Sequence, residues 1–502
     1  MNPKVNRKPT KFLRDQTRVI MRPHRPGGND RLRNIVDRII CMKDEQVARV
    51  LRDVISEFSG RHRQMIRVLE EHYQQVAGLV PGEYEISHEQ KLLIGAFFTL
   101  EYSIESAALF NPSIVANPDQ SGLGPDELRF IMSFRATGEG HISSIEFRTG
   151  KIDADNNIAL DPVTPYVETA AIRYDTVYEK HLFQLKLNEM ETCNEVTTYL
   201  LEKLPEAFTF AELERAIDEM RRHLVFFRRR QEETFDVVRW LARSNYEISF
   251  RPERELSECV IFPVSENESR GIEDARFVRF VDDDGEATYY ATYTAYNGFN
   301  ILPQLIATRE FRTFKVITLN GLAAQNKGMA LFPRRINGQY AMLSRQDGEN
   351  NHIMFSDNIH FWQESRVFQE PEYPWEFIQI GNCGSPMETT DGWLVLTHGV
   401  GAMRKYSIGA MLLDLEDPSR VIGRLRDPIL SPRDEEREGY VPNVVYTCGG
   451  MIHNGEVIIP YAMSDTCSGI ATVSVADLMA TLQSTPGRGA VPEDDPSLCS
   501  DR

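Results

Sequence analysis

Arg276-Phe-Val-Arg-Phe280, Asp282-Asp-Asp-Gly285 and Thr288-Tyr-Tyr-Ala-Thr-Tyr-Thr-Ala-Tyr296 read as two strands joined by a turn. The flanks are β-branched and aromatic, and the turn ends on a glycine that can take a positive φ. Working outward, 328–345 repeats the pattern with Asn337-Gly338 at its turn, and 444–461 does so with Asn454-Gly455. Further short apolar runs lie at 393–397, 408–415 and 469–475, with an earlier β segment at 109–151. Such evenly spaced strands predict a β-sandwich, barrel or propeller. Thr308-Arg-Glu-Phe-Arg-Thr-Phe314 and Ser356-Asp-Asn-Ile-His-Phe-Trp362 echo one another as strand, polar turn and aromatic. That repetition favours the propeller.

Two segments have a different period. Leu32, Ile35, Val36 and Ile39, then Val47, Val50, Leu51 and Val54, recur at helical spacing within 31–78. A second helical block spans 165–243, where Thr209-Phe-Ala-Glu212 reads as a capping box with Phe208 and Leu213 as its apolar staple. Arg228, Arg229 and Arg230 read as a solvated helix face. The expected organisation is a basic arm at 1–30, a helical region at 31–98, the first β part at 99–160, a helical insertion at 161–245, the remaining β part at 246–480 and a disordered tail at 481–502.

Composition narrows the function. The 502 residues carry a net charge of −18, which repels polyanions and argues against a nucleic-acid partner. The locally basic start (Lys4, Arg7, Lys8, Lys11, Arg14, Arg18, Arg22, Arg25) reads as a solvated arm or a strand-exchanging extension in preference to a tail that touches RNA or lipid. Seven cysteines form no C-x-x-C pair and read as reduced thiols. No apolar stretch reaches membrane-spanning length and no signal-peptide core opens the chain, so the expectation is a cytoplasmic protein without a membrane partner. H-E-x-x-H and G-x-S-x-G are absent, and no metal site is expected.

The segment Gly271-Ile-Glu-Asp-Ala-Arg-Phe277 concentrates acid and base. In a regular strand Asp274 and Arg276 share a face while Glu273 points the other way. Residue spacing alone leaves Asp274 open between a salt-bridge partner and a catalytic acid. Asn111, Arg135, Lys327, Arg345, His398, Asn443 and Asp465 stand in segments rich in aromatics and glycine, the setting of a carbohydrate site.

Five segments, 271–277, Leu331-Phe-Pro-Arg-Arg-Ile-Asn-Gly-Gln-Tyr340, Gly392-Trp-Leu-Val-Leu-Thr-His-Gly-Val400, Val441-Pro-Asn-Val-Val-Tyr446 and Tyr461-Ala-Met-Ser-Asp465, occur in the order seen in glycoside hydrolase family 130, which the chain resembles over roughly 105–480. The resemblance implies a mainly β fold, a five-bladed β-propeller, here with an added N-terminal helical region and a helical insertion. It implies inverting cleavage of β-mannosides, by phosphorolysis in most members and by hydrolysis in some. The general acid then falls on Asp274, which would send its proton through the mannose 3-hydroxyl. The phosphate ligands fall on Lys327, in place of an arginine, on Arg345 and on His398; a further family lysine falls on Gln379. The sugar-binding positions fall on Asn111, Arg135, Asp274 and Asp465, and Arg276 and Asn443 are further candidate substrate-binding residues. No cofactor is implied, only inorganic phosphate as co-substrate. The expected reaction is phosphorolysis of a β-D-mannosyl oligosaccharide to α-D-mannose 1-phosphate. The alternatives are a hydrolase using Glu273, Glu388, Glu435, Glu436 or Glu438 as base, and a non-catalytic sugar-binding propeller. The helical additions could build a homo-oligomer interface.

Overall fold

The computed structural model of the chain describes residues 3–174, 177–223, 228–298 and 301–483. The tail expected at 481–502 lies outside them from 484 onward, as do the side chains of Arg228, Arg229 and Arg230. The protein is mainly β. Its strands follow one another as antiparallel meanders, because short alternating runs separated by tight turns can pair only with their neighbours.

The first sheet takes Ala108–Ala116, Leu128–Thr137, Ser143–Ile152 and Ile158–Leu160. The second takes Gly271–Val281, Ala287–Tyr296, Ile301–Thr308 and Thr313–Thr318, with Tyr246–Ser249 and then Ala171–Arg173 on its outer edge. A parallel bridge from Ser143 to Gly271 makes the two continuous. The third sheet holds Ala330–Leu331, Tyr340–Ser344, Asn351–Ser356 and Arg366–Gln369, and the fourth Gln379–Asn382, Gly392–Val400, Tyr406–Leu413 and Val421–Arg424. The fifth is built on Glu456–Met463 and Cys467–Ser474, and its outer strand is Asn6–Phe12 from the other end of the chain. The turns behave as their residues require: Asn337 and Gly338 take φ of 50° and 81°, and Asn454 and Gly455 take 41° and 74°. The two echoing segments are equivalent joints between the third and fourth strands of the second and third sheets.

Each sheet buries apolar side chains on both faces, so each packs on two others. Ile145 and Phe147 of the first sheet meet Phe277 and Tyr293 of the second. Val278 and Leu305 of the second meet Met342 and Met354 of the third. Leu343 and Ile353 of the third meet Trp393 and Met411 of the fourth, and Leu396 and Ile408 of the fourth meet Val457 and Ala471 of the fifth. Ile458, Ile470 and Phe12 of the fifth return to Leu109 and Phe134 of the first. Trp393 is wholly buried, lies edge-on to Phe332 at 5.1 Å and donates its indole N–H to the Leu415 carbonyl at 3.2 Å. Trp393→Ala is expected to cost about 3–5 kcal/mol of stability in urea unfolding, as deletion of a buried aromatic does.

The basic arm is partly ordered by this packing. Besides Asn6–Phe12, Val19–Pro23 pairs with Thr99–Ser103, a ribbon separate from the first sheet, which begins at Ala108. Between the two, buried Arg18 meets buried Glu105 at 2.6 Å and Glu146 at 2.8 Å, and Arg148 meets the same carboxylates at 3.1 Å each. Helices Asn29–Ile40, Asp44–Phe58, Met65–Gln74 and His88–Phe97 pack on their apolar stripes. Helices Lys180–Glu189, Glu195–Lys203, Phe210–His223 and Arg228–Arg243 form a unit with a core of its own. The Thr209 N–H donates to Glu212 at 2.8 Å and the Glu212 N–H returns to the Thr209 hydroxyl at 3.3 Å, while Phe208 and Leu213 are buried in that core. Among the described residues no helix is long and apolar enough to cross a membrane.

Candidate active site

The strand Gly271–Val281 does not alternate regularly. Glu273 pairs with Thr294 but Arg276 with Thr292, so one extra residue is inserted, and Asp274 takes φ of 56°. The first strand of the first sheet has the same bulge: Phe110 pairs with Arg135 but Ser113 with Ser133, and Asn111 takes φ of 47°. Bulges re-aim side chains and are common beside active sites. Here they bring both acids of the motif into one cluster, contrary to the regular alternation that puts Glu273 on the opposite face. The Asn111 amide donates to Asp274 Oδ1 at 2.7 Å. Arg135 reaches Glu273 at 2.9 Å and Asp274 at 3.6 Å, and Lys327 Nζ lies 2.5 Å from the second Glu273 oxygen.

Arg276 is not the direct partner of Asp274. Its guanidinium is buried in the wall, where it donates to the Tyr446 hydroxyl at 2.6 Å, to the Asn382 carbonyl at 3.1 Å and to the Asn382 side chain. Beside it stands a second group. Arg345 Nη1 lies 3.2 Å from His398 Nε2. The Gln379 amide oxygen faces His398 Nε2 at 3.2 Å and accepts from Arg345, and its NH2 donates to the Gly348 carbonyl at 3.2 Å. Gly381 makes room for this imidazole: a Cβ there would sit 2.4 Å from His398 Cε1. Asp274, Lys327, Arg345, Thr292 and Tyr446 border a cavity of about 30 Å³ that joins the two groups.

A family model described as beta-1,4-mannooligosaccharide phosphorylase matches residues 213–484. The chain belongs to glycoside hydrolase family 130. Among its relatives, the 1,2-beta-oligomannan phosphorylase of Thermoanaerobacter sp. (strain X514) is 34% identical over 227 residues, 44% of this chain and 75% of that protein. The Beta-1,2-mannobiose phosphorylase of Listeria innocua is 30% identical over 235 residues, 44% of this chain and 63% of that protein. The Beta-1,4-mannooligosaccharide phosphorylase of Ruminococcus albus is 31% identical over 220 residues, 41% of this chain and 64% of that protein.

In this family 130 chain the two groups are tuned oppositely. Burial pushes the Asp274 carboxyl up, but Arg135, the Asn111 amide, Lys327 and Arg276 outweigh it and hold the group below the usual carboxylate range. Asp465 lacks such support: burial and the neighbouring Asp274 charge push it up to about 6, against the pull of Arg135 and Arg404. A raised folded-state value means that ionising Asp465 costs stability as pH rises from about 4, its unfolded value, through about 6. Asp465→Asn is therefore expected to flatten the fall of melting temperature between pH 4 and pH 7.

Burial, Arg345 and Arg276 hold His398 well below the ordinary histidine range, so it is neutral. Its Nδ1 lies 3.2 Å from the Asn382 carbonyl and its Nε2 lies 3.2 Å from Arg345 Nη1. Arg345 itself has no carboxylate within ion-pair distance among the described residues, and its Nε has no hydrogen-bond partner. Burial pushes the Cys383 thiol up to about 12 and the Cys448 thiol well above its ordinary range, which keeps both as inert thiols.

On the 433–443 loop the Asn443 amide oxygen accepts from Arg437 at 2.7 Å. Of the other glutamates, Glu388 pairs with Arg334 at 2.8 Å and Glu436 is buried on Arg7 at 2.9 Å and the Tyr461 hydroxyl at 2.7 Å. Glu435 and Glu438 are exposed. Asn382 and Tyr446 belong to the site and were not singled out by sequence. Tyr446 lay inside a recognised motif, whereas Asn382 carries no local signal.

Proposed function

We propose that the chain is an inverting β-mannoside phosphorylase built on a five-bladed β-propeller. The propeller reading rests on five meander sheets whose cores interlock in cyclic order, with Asn6–Phe12 completing the last sheet from the opposite end of the chain. The phosphorylase reading rests on one observation: Arg345, a half-buried guanidinium with no carboxylate partner among the described residues, sits between a neutral histidine and an amide beside the Asp274 cluster. An uncompensated cation of this kind is a site for a dianion.

A hydrolase needs instead a carboxylate free to take a proton from water. Glu273 alone among the candidate bases joins the cluster, and both of its oxygens are held by cations, Arg135 and Lys327. Neither oxygen is therefore free to face a water.

In the proposed reaction, a phosphate oxygen on Arg345, Lys327 and His398 attacks the anomeric carbon of a mannosyl unit held by Asn111, Arg135 and Asp465. The glycosidic bond breaks, and the leaving oxygen receives the Asp274 proton through the mannose 3-hydroxyl. Asp274 must first be protonated. An arriving phosphate adds negative charge and draws on the Lys327 and Arg345 charges, which moves the carboxyl up towards that state. Incubating the protein with β-mannobiose and with longer β-mannosides, with and without phosphate, tests the reading. The expected result is phosphate-dependent formation of α-mannose 1-phosphate; free mannose formed at a rate indifferent to phosphate would establish the hydrolase instead.

A further inference from the structure

A cavity of about 560 Å³ shares no lining residue with the one beside Asp274. Its walls come from the N-terminal helical region (Arg63, Val68), the segment leading to the insertion (Tyr166, Glu168) and the outer edge of the second sheet (Phe250, Arg251). Most of these positions precede the span matched by the family model. The volume is that of a small-molecule site.

Five of the charges around this cavity form one alternating chain, and Arg67 of its wall pairs separately with Glu71 at 2.7 Å. Arg63 Nη2 meets Glu258 at 2.8 Å, Glu258 faces Arg254 at 3.9 Å, Arg254 meets Glu168 at 2.5 Å, and Glu168 faces Arg251 at 3.5 Å. The carboxylates are spent, since Glu258 also accepts from the Thr164 hydroxyl at 3.1 Å and each of its neighbours in the chain is an arginine. The guanidiniums at the two ends are not. Arg63 is 42% exposed and uses one nitrogen on Glu258, and Arg251 is 31% exposed with, among the described residues, only the 3.5 Å ion pair. Within this chain of five, three arginines against two carboxylates leave one positive charge, in a protein of net charge −18. Arg63 moreover lies over the Tyr166 ring, 4.1 Å from its centroid, a contact that restrains its fork before any ligand arrives.

Unspent donors, one excess positive charge and a partly apolar wall of Phe250 and Val68 call for an anion carrying a compact organic body. We infer that this cavity binds a phosphorylated hexose, with the phosphate on Arg63 and Arg251 and the pyranose against the apolar wall. The product proposed above belongs to this class, but the inference rests only on that reading for the choice of hexose.

Calorimetric titration of the full chain with α-mannose 1-phosphate tests it, with inorganic phosphate and mannose as controls. The expected result is two sites. Arg251→Ala should weaken one at least tenfold while leaving the initial rate of phosphorolysis unchanged; Arg345→Met should remove the other. Failure of the phosphorylase reading would eliminate only the Arg345-dependent site. The inference is overturned if Arg251→Ala and Arg63→Ala both leave the isotherm unchanged. It is equally overturned if the Arg251-dependent site binds mannose, or inorganic phosphate alone, as tightly as the sugar phosphate.

Discussion

Asp274→Asn is expected to lower kcat for β-mannobiose phosphorolysis by about 10²–10⁴, the range that a positioned general acid supplies. The substitution is nearly isosteric. An asparagine oxygen still accepts from the Asn111 amide that now donates to Asp274 at 2.7 Å, and Arg135 keeps its 2.9 Å partner in Glu273. The variant should therefore fold and bind sugar. Its deficit should depend on the leaving group, because a dinitrophenolate departs without a proton whereas a sugar alkoxide does not. Measured on β-mannobiose and on 2,4-dinitrophenyl β-mannoside, the loss should be large for the first and small for the second. Equal losses on both substrates would mean that Asp274 positions sugar and does not deliver the proton.

Arg345→Met should raise the KM for phosphate about 10–100-fold, because charge-assisted hydrogen bonds contribute about 1.5–3 kcal/mol each. The KM for mannoside should hardly move, since Arg345 is grouped with His398 and Gln379 and not with Asn111 and Asp274. Arg345→Lys should recover part of the loss, restoring charge without the bidentate fork. Phosphate-dependent initial rates distinguish these outcomes, and an unchanged KM in Arg345→Met would remove the anion pocket. The effect should be marked in this chain because its cations are few: Lys327 is already engaged by Glu273 at 2.5 Å, and Gln379 contributes an amide where the resemblance implies a lysine.

Some of this was legible in residue patterns and some was not. The helices of 31–78 and the capping box at Thr209 were legible because helical periodicity and capping are local. The Asn337-Gly338 and Asn454-Gly455 turns were legible for the same reason, since a two-residue turn is chosen by the residues that occupy it. Glu273 was misdirected by the assumption of regular alternation. The bulge at Asp274 depends on which partner the strand meets, and that partner, 287–296, is not encoded within 271–277. Arg276 was read as an Asp274 neighbour by its i, i+2 spacing, yet its partners Asn382 and Tyr446 lie 106 and 170 residues away.

By itself the sequence determined the strand-rich class, the two helical blocks and the family membership, because period, turn chemistry and ordered motifs are written along the chain. The tertiary structure alone decided that the arm closes the fifth sheet and that Glu273 occupies Lys327. It also decided that Arg345 stands without a carboxylate among the described residues. These are matters of which distant groups share a desolvated space, and charge pairing in such a space depends on distances that linear order does not specify.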